Sequence, residues 1–361
     1  MDIKELIIKR LNTAGEVRVA DIVDETSFSR KYIHRFFDEL QKENKIAKIG
    51  TTKAARYVFS SHQKVFEAKK NIIKIDLLLK NRGLKEDLVE DKIKEDTGIF
   101  IGLSKEVKAA ADFAFLEILN NAIEHSKSEN IRVTMSRMEN KLIFDIFDWG
   151  VGVFASIRKK KGLQNDLEAI QDLLKGKETT NPARHTGQGI FFTARIADRF
   201  ILYSSKKKLI FDNNIDDVFL KDSPARKGTR AHFEVALDTK KKSEEIFRRY
   251  SDPDSYEFSK TEVMIHLYKM DIGYISRSQA RRVTAGLEKF KSVVLDFSRV
   301  DTIGQGFADE VFRVWQKRNP KTRISYKNAD ENVQFMIERA KSDLKNHFDR
   351  HQKKQNKDID K

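Results

Sequence analysis

Four short stretches carry residue types that can do chemistry at a phosphate. In SKEVKAAADFAFLEILNNAIEHS, Glu117 and Asn121 lie four apart, so on a helix they share a face, with His125 four further on. A carboxylate in that position can orient or deprotonate a water. An amide oxygen beside it can join the shell of a Mg2+ ion. The stretch KLIFDIFDWG runs into Asp148-x-Gly150-x-Gly152. An Asp at the end of a strand can accept a hydrogen bond from the amino group of a base. HTGQGIFFTARIADRF sets Gly187-x-Gly189 at the start of a helix, where backbone N–H groups and the helix dipole face an anion. Last, KGTRAHFEV opens a strand with Gly228-Thr229.

These residues need a long helix over 104–126 and strands to hold the rest. Ala110, Phe113, Ala114, Leu116, Ile118 and Leu119 are the expected buried side of that helix. Taken in order, the four stretches resemble the boxes of the Bergerat-fold (GHKL) ATPases, the group of gyrase B, the heat-shock ninety chaperones, MutL, sensor histidine kinases and anti-sigma-factor kinases. The resemblance covers about 104–240 and implies ATP and Mg2+ as cofactors. It implies Glu117 as general base, Asn121 as the Mg2+ ligand, and Asp148 as the adenine contact supported by Thr229. Gly150 and Gly152 would let the backbone turn around the base. His185, Thr186, Gly187, Gln188 and Gly189 would form the phosphate turn, with His185 lining a hinge rather than acting as a base. Residues 153–186 would be the lid over ATP, with the basic run Arg158–Lys161 and the helical stretch NDLEAIQDLLKGK. Lys177 or Arg184 either reaches the γ-phosphate or is solvated surface. An orthodox autokinase is not expected, since His62, in SSHQKVFEAKK, lacks the acidic residue and Pro that follow a phosphoacceptor histidine.

Residues 1–60 read as three helices and a two-stranded wing, which resembles a winged helix-turn-helix. Its third helix would enter the major groove with Ser29, Arg30, Lys31, His34 and Arg35 outward, while Lys53 and Arg56 on the wing touch phosphate. The other reading of such a module is protein contact. Residues 61–103 are expected as short connecting helices. Residues 250–340 pattern as β-α-β-α-β and resemble a STAS-like domain, the fold of anti-sigma-factor antagonists. There Asp301-Thr302-Ile303-Gly304 matches the turn that carries a phosphorylated serine, but Ile303 takes the acceptor's place and Thr302 is the nearest hydroxyl. Residues 341–361 read as a fraying helix and polar tail.

The expected fold class is α+β multidomain: winged helix, Bergerat α/β sandwich ATPase, small STAS-like α/β domain. The three parts together resemble a family of prokaryotic regulators. Cysteine is absent, which excludes disulfides, thiolate metal sites and a Cys nucleophile, and fits a reducing, cytoplasmic setting. The start MDIKELIIKRL carries acidic residues within its apolar stretch, so it is not read as a signal peptide, and no membrane segment is expected. The net charge is +15, weighted toward 240–361; it speaks to polyanions rather than to fold. The expected function is an ATP-binding, slowly hydrolysing DNA-binding regulator in which lid closure switches domain docking. The alternatives are an anti-sigma-type Ser/Thr kinase acting on a STAS-like domain, and an ATP-clamped dimerising ATPase. Expected partners are DNA, a protein at the STAS-like domain and a second copy of the chain.

Overall fold

The computed structural model describes residues 2–50, 55–176, 188–268 and 276–342. The chain divides into two compact units, Met1–Trp149 with Arg230–Lys240, and Gly150–Thr229 with Lys241–Lys361. The stretch expected as one ATPase domain, 104–240, is therefore shared between them.

The first unit opens with helices α1 (Ile3–Ala14), α2 (Val19–Thr26) and α3 (Arg30–Lys42) and the hairpin β1 (Ile46–Ile49) and β2 (Arg56–Phe59). The boundaries have local causes. Asp2 caps α1 by accepting from the Lys4 N–H at 2.8 Å, and Gly15 ends it in the left-handed region at φ 76°. Ser29 caps α3 by accepting from the Tyr32 N–H at 3.3 Å. Ile7, Leu11, Ile22, Ile33, Phe37 and Tyr57 close one apolar core, and Val17 makes an antiparallel bridge to Tyr57 beside β2. A second, smaller cluster of Ile49, Val58 and Ala68 joins the hairpin to α4 (His62–Lys70).

The expectation of connecting helices over 61–103 is corrected in its middle. Lys74–Lys80 is a strand, β3, between α4 and α5 (Glu86–Asp96). The run KIDLLLK is apolar at three successive positions, which hides its alternation from a helical reading. In the fold, pairing with a neighbouring strand decides it, and exposed and half-buried residues alternate strictly along β3. Helix α6 (Lys105–His125) follows, then β4 (Asn130–Arg137) and β5 (Lys141–Asp148). The strands run antiparallel in the order β3, β4, β5 and then the Arg230–Ala236 end of a later strand. The buried stripe of α6 is Val107, Ala110, Ala111, Ala114, Phe115, Ile118, Leu119 and Ala122. Phe113 and Leu116, expected in it, lie half-buried at its flanks. Phe144 of β5 anchors the packing, edge-on to Phe115 at 5.6 Å and stacked on Phe233 at 4.8 Å.

The second unit holds α7 (Val153–Lys161), α8 (Asp166–Lys175), α9 (Gly189–Ile196), β6 (Arg199–Asp212) and β7 (Asp217–Ala236), whose last part is the strand just mentioned. After α10 (Ser243–Tyr250) come β8 (Lys260–Met264), α11 (Arg277–Thr284), β9 (Ser292–Asp296), α12 (Gln305–Ala308) and β10 (Arg323–Lys327). Past Ala308 the helix continues as a π-helix, Asp309–Trp315. The three strands are parallel in the order β10-β9-β8, so helical crossovers join them, as the β-α-β-α-β pattern requires. A helical stretch over 331–342 follows.

Candidate functional site

In the first unit, α6 presents Glu117 and Asn121, half-exposed, on the flank of its buried stripe. The Asn121 Nδ2 donates to the Glu117 carbonyl at 2.7 Å. That bond engages the amide nitrogen, so the Oδ1 is the atom that could face a cation. A single hard oxygen of this kind suits a Mg2+ that draws its other ligands from water and phosphate. Among the described residues, no group of three His, Asp or Glu side chains forms a metal cage. Asp148 ends β5 and is buried. The strand is held there by the Trp149 N–H, which donates to the Ser128 Oγ at 3.0 Å. His125 is the last residue of α6.

In the second unit, Gly152 caps α7 at φ 84°. A Cβ on it would fall 2.5 Å from the Ser204 Oγ and 3.0 Å from the Gly228 carbonyl, so only glycine fits. The Ser204 hydroxyl donates to that carbonyl at 3.0 Å. Thr229 was expected to support an adenine contact. Its Oγ1 accepts the Val153 N–H at 3.0 Å, so it holds the first turn of α7 behind the glycines. Ser204 is a positioning residue the sequence did not disclose, because a lone serine in a strand has no signature. Gln188 precedes α9, and Gly189 is its first residue. Lys53, Lys177, Arg184, His185, Thr186 and Gly187 lie outside the described residues. Within 158–161, Arg158 pairs with Asp166 at 3.3 Å and Lys161 with Asp172 at 2.5 Å.

The sequence also missed Lys175. It ends α8 and is only 4% exposed. Its Nζ donates to the Arg282 carbonyl at 2.7 Å and the Ala285 carbonyl at 2.8 Å, the last acceptors of α11. Its own carbonyl accepts from the Thr261 hydroxyl of β8 at 2.6 Å. An ammonium at a helix C-terminus satisfies orphan carbonyls and opposes the dipole. Gly176 follows at φ 75°, where a Cβ would meet the rings of Phe191 and Phe258 at 2.8 Å. Phe258 in turn packs on Phe191 at 4.6 Å, Phe192 at 5.3 Å and Phe290 at 5.4 Å. Helices α8 and α9 thus share one core with the three-stranded sheet.

Among the residues expected at DNA, Ser29, Arg30, Lys31 and Arg35 are exposed and His34 is half-exposed. The Arg35 guanidinium lies 5.4 Å from the Tyr32 ring and 5.2 Å from the Phe36 ring. Arg56 is engaged internally, with Glu16 at 3.1 Å and the Ala68 carbonyl at 3.2 Å. In the turn before α12, Asp301 and Thr302 are exposed, whereas Ile303 is 1% exposed and belongs to the core.

A family model for the histidine kinase-like ATPase domain matches residues 94–211. A second, for a STAS-like domain of unknown function (DUF4325), matches residues 279–334. The chain carries a histidine kinase-like ATPase domain and a STAS-like domain. The ATPase match spans α6, Asp148, Gly152 and α9, so three of the four expected boxes fall within it, and Gly228-Thr229 lies beyond its end. Such a domain implies nucleotide binding. The STAS-like match spans α11 through β10. No curated protein and no solved structure matches the chain. No described helix is long and apolar enough to cross a membrane.

Proposed function

We propose that this chain is an ATP- and Mg2+-binding regulator that hydrolyses ATP slowly, binds DNA through its N-terminal helices and passes its nucleotide state to the STAS-like domain. In this reading Glu117 orients and deprotonates the attacking water, and Asn121 holds Mg2+ through its amide oxygen. Asp148 accepts from the adenine amino group. Gly150 and Gly152 give the backbone room beside the base, and Thr229 fixes the turn behind them. His185, Thr186, Gly187, Gln188 and Gly189 form the phosphate turn. Bound Mg2+ supplies charge neutralisation at the phosphates. On α3, Arg30, Lys31 and Arg35 face the groove and phosphates. The ordered motifs and the ATPase match over 94–211 support the nucleotide part.

The single observation that carries the regulatory part is the Lys175 clasp. The lid segment implied by the motif spacing contains α8. The end of that helix is bonded to α11 and β8, so ordering the lid moves the STAS-like domain with it. ATP biases that equilibrium only by its differential affinity for the two states.

Two measurements test the reading. The first is DNA binding with and without ATP–Mg2+ over a salt series; equal affinity and equal salt slope in both conditions removes the switch. The second incubates the protein with γ-labelled ATP beside Glu117→Gln. Free phosphate that disappears in the variant supports hydrolysis. Label on the protein, lost in Thr302→Val, would replace hydrolysis by a kinase reading.

A further inference from the structure

Strand β3 is the edge of its sheet, paired on one side only, with β4. Among the described residues, no backbone hydrogen bond reaches its outer side. An open edge of this length is a template for another strand, and proteins usually blunt it with charge. Here the charges do not repel. The exposed residues of β3 run Lys74, Asp76, Leu78, Lys80, with Leu78 67% exposed between an acid and a base. Beside the strand lies a groove of about 510 Å³, whose apolar lining of Leu77, Leu79, Leu84, Leu88 and Val89 is edged by Asp76, Lys85 and Lys92. Leu88, on α5 along that groove, is 61% exposed.

We propose that this edge seats a second copy of the chain, with the two β3 strands antiparallel about a twofold axis at Leu78. The occupant follows from the charge pattern. Centred at Leu78, the pairing sets Leu78 on Leu78, Asp76 on Lys80 and Lys80 on Asp76. Centred one residue earlier, it sets Lys74 on Lys80. Only the first register pairs opposite charges and buries the exposed leucine, and a register is specified by such cross-strand pairs. The contact is isologous, so each protomer gives and receives the same surface. Leu77 of one protomer then opposes Leu79 of its partner on the groove side, where Leu88 is at hand for cover. The Arg132 guanidinium already bonds Asp76 at 2.8 and 2.5 Å, and this holds the carboxylate in place at the edge. The inference goes beyond the nucleotide reading and does not rest on it.

The test uses the full chain, which has no cysteine of its own. At the twofold centre, facing Cα atoms sit about 4.5–5.5 Å apart, within disulfide reach. Leu78→Cys is expected to give a linked dimer on mild oxidation, with or without ATP. Lys74→Cys, about 26 Å from its own copy in that register, is expected to stay single-chain. Leu78→Lys places two like charges face to face and is expected to weaken the dimer about 100-fold in sedimentation equilibrium. Wild-type chain that sediments as a single copy throughout would overturn the proposal. So would Leu78→Cys that links no better than Lys74→Cys, or Leu78→Lys that sediments as wild type.

Discussion

The N-terminal module and the STAS-like domain are both small, and both hold sheets of only two or three strands, yet they are attached in opposite ways. Residues 2–59 close their own core, and Ile49, Val58 and Ala68 make a modest joint to α4. Their ion pairs, such as Lys4 with Glu39 and Glu43, lie in solvent. The STAS-like domain shares its core with α8 and α9 through Phe258 and is pinned by a buried lysine. A module that keeps its own core can move without disturbing its neighbour. One that shares a core must report its neighbour's movement. Under the proposed function, the shared core is what would carry a nucleotide response to the STAS-like end.

The largest expected effect that would break this contrast is Phe258→Ala. It removes a ring that is 2% exposed and touches Phe191, Phe192 and Phe290. A loss of about 3–5 kcal/mol is expected in the second unit, read by calorimetry, with the N-terminal module unaffected. Next is Lys175→Met, which keeps the apolar stem but strands two carbonyls; about 2–3 kcal/mol is expected. An unchanged melting profile would mean that the clasp does not hold the domain.

A smaller effect sharpens the picture of the first unit. Burial first, and then the Asp112 charge, pushes the Glu90 carboxyl up to about 7, against the pull of Lys94. The folded state therefore keeps a proton that the unfolded chain releases above about 4.5. Stability from this group is full below that pH and falls as pH rises toward 7. Glu90→Gln is expected to raise stability at pH 8 by about 1 kcal/mol after allowance for solvent screening, and to change nothing at pH 4. The smallest effect is Lys4→Ala, where no shift in melting temperature is expected because the pair is solvated.

The parts legible in the sequence were those with a steric or periodic signature. Gly152 is required by a left-handed backbone against Ser204 and Gly228, so its spacing from Asp148 survives as a motif. Helix α3 and the parallel strands of the STAS-like domain follow from apolar periodicity. Strand β3 was hidden because three successive leucines mask alternation, and only its partner β4 makes it a strand. Lys175 was hidden because a lysine at a helix end reads as solvated; what buries it is a carbonyl pair more than a hundred residues away in sequence. Thr229 was found by its motif, but its bond to the Val153 N–H is a matter of tertiary geometry.

The most direct test of the coupling is hydrogen exchange on the full chain, with and without ATP–Mg2+, in wild type and Lys175→Met. Nucleotide is expected to change protection over Arg277–Thr284 and Lys260–Met264 in wild type, and Lys175→Met is expected to abolish this change while α6 still responds. A nucleotide response confined to the ATPase segments in wild type, or one that reaches α11 equally in the variant, would contradict it.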